Sequence, residues 1–97
     1  MKFPLKLTTR AIKDMEALAR DAGQQKRFKS VQKVFGLLET NPRHRSLRTH
    51  KFQSLQGPNN EPVFEAYAEN KTPAAYRIFF YYGPSGEIVI IAVTPHP

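Results

Sequence analysis

The stretch Asn41-Pro42-Arg43-His44-Arg45-Ser46-Leu47-Arg48-Thr49-His50-Lys51-Phe52 divides the chain into two halves with different apolar periods. Pro42 disfavours helical geometry in Asn41 and so ends the helix that precedes it. From Arg43 to Phe52 there are four fixed positive charges and two histidines, with no acid. So dense a run of cations attracts phosphate, which makes nucleic acid the first partner to consider. The plainer alternative is a solvated basic surface, since charge alone is a non-specific signal.

Upstream of this stretch the period is helical. Phe28, Val31, Phe35 and Leu38 fall at i, i+3, i+7 and i+10, with Val34 and Leu37 widening the stripe, while Lys26, Lys29 and Lys33 occupy the opposite face. An earlier helix is predicted from Thr8 or Thr9 as N-cap, with Ile12, Met15, Leu18 and Ala19 as its buried stripe and Gly23 as its stop. The short link between the two predicts an antiparallel αα-hairpin. Before them, Phe3 to Leu7 alternates apolar and polar residues and reads as a short strand.

Downstream the period becomes two. Leu47 to Leu55 can be extended, and Val63 to Glu69, Ala75 to Tyr82 and Ile88 to Val93 read as three further strands. Gly57-Pro58-Asn59-Asn60, Asn70-Lys71-Thr72-Pro73 and Gly83-Pro84-Ser85-Gly86 supply the turns between them. The order β-α-α-β-β-β-β implies an α+β fold, with the helical hairpin packed on one face of a twisted, mainly antiparallel sheet.

The bulk numbers are consistent with this. Ninety-seven residues suit one domain spanning 1–97, and seven phenylalanines with four tyrosines can furnish its core. The absence of cysteine excludes disulfides, thiolate catalysis and cysteine-ligated zinc. The histidine spacing matches no metal-ligand pattern, and no glycine-rich phosphate loop or nucleophile elbow occurs. No metal or other cofactor is therefore expected. The N-terminus does not read as a signal peptide, and the run Ile88 to Val93 is far shorter than the roughly 20 residues that span a bilayer. A cytoplasmic protein with no membrane partner is expected. The net charge of +7 is uneven: residues 1–51 hold thirteen Lys/Arg against four Asp/Glu, and residues 52–97 hold two against four. The helical half and its junction are thus expected to face the anion.

Three segments, Leu37-Leu38-Glu39-Thr40-Asn41-Pro42-Arg43, Leu47-Arg48-Thr49-His50-Lys51-Phe52 and Ala75-Tyr76-Arg77-Ile78-Phe79-Phe80-Tyr81-Tyr82, carry a family likeness in their order and spacing. Through them the chain resembles the RelE/ParE superfamily of bacterial type II toxins, over almost its whole length. The resemblance implies one fold with two activities. RelE-like members enter the ribosomal A site and cleave mRNA, whereas ParE-like members lack the catalytic set and poison DNA gyrase. Both are neutralised by an antitoxin, and the charge asymmetry here leads us to expect a cognate antitoxin with an acidic segment.

Metal-free RNA cleavage needs activation of the 2′-oxygen, positive charge around the crowded phosphate, and a proton for the departing 5′-oxygen. The resemblance carries these roles onto Lys51 as a phosphate contact, Glu65 as a general base, Arg77 as a phosphate clamp and His96 as the acid. Arg43, Arg45, Arg48, His50, Tyr67 and Tyr81 are the candidate RNA contacts, with Tyr67 as a hydrogen-bond donor and Tyr81 as a stacking ring. Each has a structural alternative: Arg77 can pair with Glu65 or Glu69, Glu65 can face the antitoxin, and His96 can lie idle between its prolines. Three functions stay open on these residues: a ribosome-dependent mRNA endonuclease, a non-catalytic toxin or regulator binding gyrase or another protein, and an RNA-binding module without cleavage.

Overall fold

The computed structural model describes residues 2–70 and 74–95. A short strand β1 (Leu5–Leu7) leads into two helices, α1 (Thr9–Arg20) and α2 (Gln25–Thr40). Four strands follow: β2 (His50–Gln56), β3 (Pro62–Tyr67), β4 (Tyr76–Tyr82) and β5 (Ile88–Pro95). Single 3₁₀ turns at Ala22–Gln24 and Arg45–Leu47 complete the path. The element order and the α+β class are those the sequence predicts.

The five strands form one sheet in the order β1-β5-β4-β3-β2. From β2 to β5 the neighbours are antiparallel, as the short turns require. β1 instead joins β5 in parallel, pairing Leu5 with Ile88 and Leu7 with Ile90. The long helical connection permits this, because it carries the chain from one edge of the sheet to the other.

Alternation along the strands gives the sheet two apolar faces. Ala66, Ile78, Phe80, Ile88 and Ile90 pack with Ala11, Leu18, Val31, Val34 and Leu38 of the helices. On the far face Val63, Phe79 and Ala92 form a smaller cluster, against which Phe52, Tyr81 and Ile91 pack. Phe80 is fully buried and Tyr82 half-buried against the main core, as alternation predicts, and Phe79 anchors the other side. At β5 the pairing moves from Phe80↔Ile90 to Phe79↔Ala92, which leaves Ile91 as the extra residue of a bulge.

Thr8 is the N-cap of α1. Its hydroxyl oxygen accepts from Ala11 N at 3.2 Å and donates to the carbonyl of the bulge residue Ile91 at 2.9 Å. The stripe of α1 differs from the one expected: Ala11 and Leu18 are buried, Met15 is half-buried, and Ile12 and Ala19 are exposed. The face is rotated because Asp14 belongs to it, its carboxylate accepting from Val93 N at 2.9 Å. A polar residue with a structural partner hid the true periodicity. Helix α1 also ends before Gly23, at Arg20. The turn is closed by the Asp21 carboxylate, which accepts from Gly23 N at 2.9 Å and from the Gln24 amide at 2.8 Å. Those two bonds, with the Gln24 bond the larger influence, hold the Asp21 carboxyl below its ordinary value of 3.8.

Candidate active site on the helix-free face of the sheet

At the junction between helices and sheet, Arg45–Leu47 forms a 3₁₀ turn rather than the start of a strand. His44 caps it through Nδ1, which accepts from Ser46 N at 3.1 Å. Arg48 follows in the left-handed conformation, with φ of 48° and ψ of 38°. A residue with a Cβ adopts this region only where its surroundings enforce it. Here Arg48 closes the turn with its N–H, which donates to Arg45 O at 3.1 Å, and its own carbonyl accepts from His50 Nδ1 at 3.0 Å. Strand β2 then begins.

The register fixes what meets next. His50 pairs with Glu65 across β2 and β3, and Tyr67 pairs with Arg77 across β3 and β4. These four residues share the face turned away from the helices, where Val63 and Phe79 lie. His50 Nε2 stands 2.8 Å from Glu65 Oε1, and Arg77 Nε stands 3.9 Å from Glu65 Oε2. The Arg77 guanidinium lies 3.7 Å from the Tyr67 ring centre, and Arg48 approaches the same ring at 5.8 Å. His50 meets the Tyr67 ring edge-on at 5.9 Å.

Burial divides these groups by what they can reach. The Glu65 side chain is 0% exposed, that of Arg77 12% and that of His50 48%. A carboxylate taken out of water costs several kcal/mol unless cations face it. His50 and Arg77 supply that field. Arg77 is further held by its NH1 group, which donates to Glu69 O at 2.8 Å and Tyr76 O at 3.2 Å. Nδ1 of His50 faces the Arg48 carbonyl and donates to it, which turns Nε2 towards Glu65 Oε1.

The other sequence-derived candidates lie elsewhere. Lys51 pairs with Phe64, a residue packed on the main core, so the pleat puts Lys51 on the other side of the ribbon from His50 and Glu65. Tyr81 packs against the Phe79 cluster, nearer the opposite end of β4. Arg43 and Arg45 line a cavity beside Phe64 and Tyr82. His96 lies outside the described residues. Among the described residues, no group of three His, Cys, Asp or Glu side chains could hold a metal ion, and no helix is long and apolar enough to cross a membrane.

Arg27, which the sequence did not single out, and Glu69, which it offered as a partner for Arg77, steady this site. Arg27 of α2 donates from Nε to Glu69 Oε1 at 2.7 Å and stacks on the Tyr76 ring at 4.3 Å. The same Glu69 oxygen accepts from Tyr76 N at 3.0 Å. Glu69 thus clasps the helix with its side chain while its carbonyl holds Arg77. The contact between Arg77 and Glu69 that the sequence offered runs through the Glu69 carbonyl rather than its carboxylate.

No protein-family model and no curated protein matches the chain by sequence. By structure, it is similar to the YoeB dimer protein from Staphylococcus aureus, with a TM-score of 0.66 and 11% identity over 100% of both chains. It is similar to a chain of the E. coli DinJ-YafQ toxin-antitoxin complex, with a TM-score of 0.69 and 13% identity over 99% of this chain and 94% of that one. A copper-bound mutant toxin from Helicobacter pylori aligns at a TM-score of 0.60 and 16% identity, over 97% and 94%. The helical hairpin, the strand order and the sheet of this chain are therefore the fold of these solved structures, the RelE-like α+β fold that the resemblance implies.

Proposed function

We propose that the protein is the toxin of a type II toxin-antitoxin pair and cleaves mRNA on the ribosome without a metal. The observation that carries this reading is the Glu65–His50–Arg77–Tyr67 cluster, a carboxylate with an exposed imidazole and a forked cation on one sheet face. The exposed imidazole turns aside to admit the 2′-hydroxyl, whose proton passes to Glu65. The 2′-oxygen then bonds to phosphorus as the bond from phosphorus to the 5′-oxygen breaks. Arg77 holds the non-bridging oxygens, where a guanidinium fork outperforms an ammonium group. Tyr67 sets the Arg77 plane and donates a hydrogen bond to the phosphate, Lys51 contacts a neighbouring phosphate from the other side of β2, and His96 protonates the departing 5′-oxygen. Tyr81 stacks a flanking base. The partners are the ribosome, mRNA and an antitoxin whose acidic segment covers the basic junction; the DinJ-YafQ complex is a precedent for such a pair on this fold.

The full burial of Glu65 favours a second reading, a non-catalytic toxin of the same fold that acts by binding a protein such as gyrase. Induced expression of the wild type and of Arg77→Ala separates the two. The endonuclease reading expects growth arrest with codon-resolved mRNA cuts, both lost in the variant. Arrest that survives Arg77→Ala, with no cuts in either strain, establishes the second reading instead. An adjacent reading frame whose product is basic throughout would count against the acidic antitoxin.

A further inference from the structure

Away from the Glu65 cluster, the densest unmatched charge lies where α2 hands over to β2. A cavity of about 420 Å³ opens there, beside Phe64 and Tyr82 on the helix side of the sheet. Arg43, His44, Arg45 and Arg48 line it, and no carboxylate among the described residues does. None of the three arginines makes an ion pair among the described residues, where the pairs are Arg10–Asp14, Arg27–Glu69 and the two contacts to Glu65. Three arginine side chains therefore surround a hollow with no carboxylate among the described residues to neutralise them. Its volume falls in the range of small-ligand clefts, about 300–1,000 Å³.

The donors are preset. Backbone N–H of Ser46 donates to His44 Nδ1, so that nitrogen carries no proton in this arrangement and the ring's donor is Nε2. Asn41 Oδ1 accepts from Arg43 N at 3.3 Å and steadies the start of the turn. Arg43 and Tyr82 line the same hollow, so this arginine stands beside the aromatic floor. A second cavity of about 280 Å³ shares Pro42, Arg43 and Tyr82, so the depression continues towards Phe3. Arg48 belongs to both sides of the sheet edge: it lines the cavity and also approaches Tyr67 on the face that holds Glu65.

We propose that this cavity is a nucleotide site for a single RNA strand, distinct from the Glu65 cluster and joined to it around the sheet edge by Arg48. Arg43, Arg45 and the Nε2 of His44 hold the phosphate, and the base lies against Phe64 and Tyr82. Guanidinium forks match phosphate oxygens, and an aromatic floor accepts any base because every base has a π-face. An acidic peptide could satisfy the charges and would leave the rings unused. The inference rests on the reading that this protein handles RNA, and it stands apart from whether the RNA is cut.

The test is the binding of a short single-stranded RNA to the purified protein, followed by fluorescence anisotropy across a salt series, with the double variant Arg43→Ala/Arg45→Ala beside the wild type. Affinity falls roughly tenfold in the variant at moderate salt, and the slope of log K against log salt shrinks by about 0.7 for each arginine removed. Unchanged affinity and slope would overturn the proposal. Polyglutamate of equal charge, bound as tightly as RNA and lost to the same degree in the variant, would also overturn it. Ribosome-dependent cleavage is scored separately. Absent cleavage with the expected loss of RNA binding sinks the endonuclease reading and keeps this site, whereas intact cleavage with unchanged RNA binding does the reverse.

Discussion

The guanidinium carbon of Arg77 stands 3.7 Å from the centre of the Tyr67 ring, its direct partner in the β3–β4 register. A cation this close to an aromatic face gains about 1–2 kcal/mol where water is largely excluded. Tyr67→Phe retains the ring and is expected to unfold at nearly the wild-type urea concentration. Tyr67→Ala loses both the stack and the packing, and is expected to lose about 2 kcal/mol or more in the same titration. Equal stability of the two variants would show that the stack contributes nothing.

Glu65→Gln keeps the shape of the buried side chain and removes the charge that His50 and Arg77 face. We expect ribosome-dependent cleavage to fall by about 10²-fold or more, the usual worth of a positioned base. Single-turnover cleavage with purified ribosomes measures it, and circular dichroism of the variant checks that the fold persists.

Arg27→Ala opens the clasp between α2 and the end of β3. Charge-assisted hydrogen bonds contribute about 1.5–3 kcal/mol, so a loss in that range is expected by chemical denaturation. Arg27→Lys restores less than half of it, because an ammonium group cannot both stack on Tyr76 and keep the geometry of the Nε bond to Glu69.

Thr8 serves two elements with one hydroxyl, capping α1 and occupying the carbonyl of Ile91 at the β5 bulge. Thr8→Ala therefore removes a cap and strands a carbonyl, at a cost of about 1–2 kcal/mol. Thr8→Ser keeps both bonds and is expected to retain most of the stability; thermal melts of the three proteins decide it.

Burial raises the Tyr82 phenol above its ordinary value of 10.0, and Arg43 offsets part of that rise. The folded chain thus keeps this proton to a higher pH than the unfolded chain does. Its contribution to stability is complete below pH 10.0 and is lost as the pH climbs through the raised folded value. Ultraviolet phenolate titration of the wild type and of Tyr82→Phe should differ by one late-ionising tyrosine.

The fold was legible because its signals are local and repetitive. The α2 stripe of Val31, Val34 and Leu38, and the alternation through β3 and β4, name their buried faces directly. The α1 stripe was misread by one step because Asp14 acts as a structural acceptor and looks polar. The parallel pairing of β1 with β5 was also hidden, since nothing local in Leu5–Leu7 encodes its partner. For the candidate site, the sequence offered Glu65, Arg77, His50 and Lys51 together, but the pleat brings only the first three to one face. Lys51, one residue on from His50, goes to the opposite side, because a pleated strand sends adjacent side chains to opposite faces. Arg27 escaped notice because its role depends on a contact across 42 residues.

The parallel pair of β1 and β5 also orders events in time. Leu5 finds its hydrogen-bonding neighbour at Ile88, and the hydroxyl of Thr8 reaches a carbonyl 83 positions further along. Contacts this distant in sequence form late and slow the approach to the native state. A nascent chain, made from its N-terminus, cannot seat β1 until β5 has left the exit tunnel. The sheet therefore stays open beside β1 until β5 has emerged, so a protein proposed to attack translating ribosomes is unfinished while that strand is still inside its own ribosome.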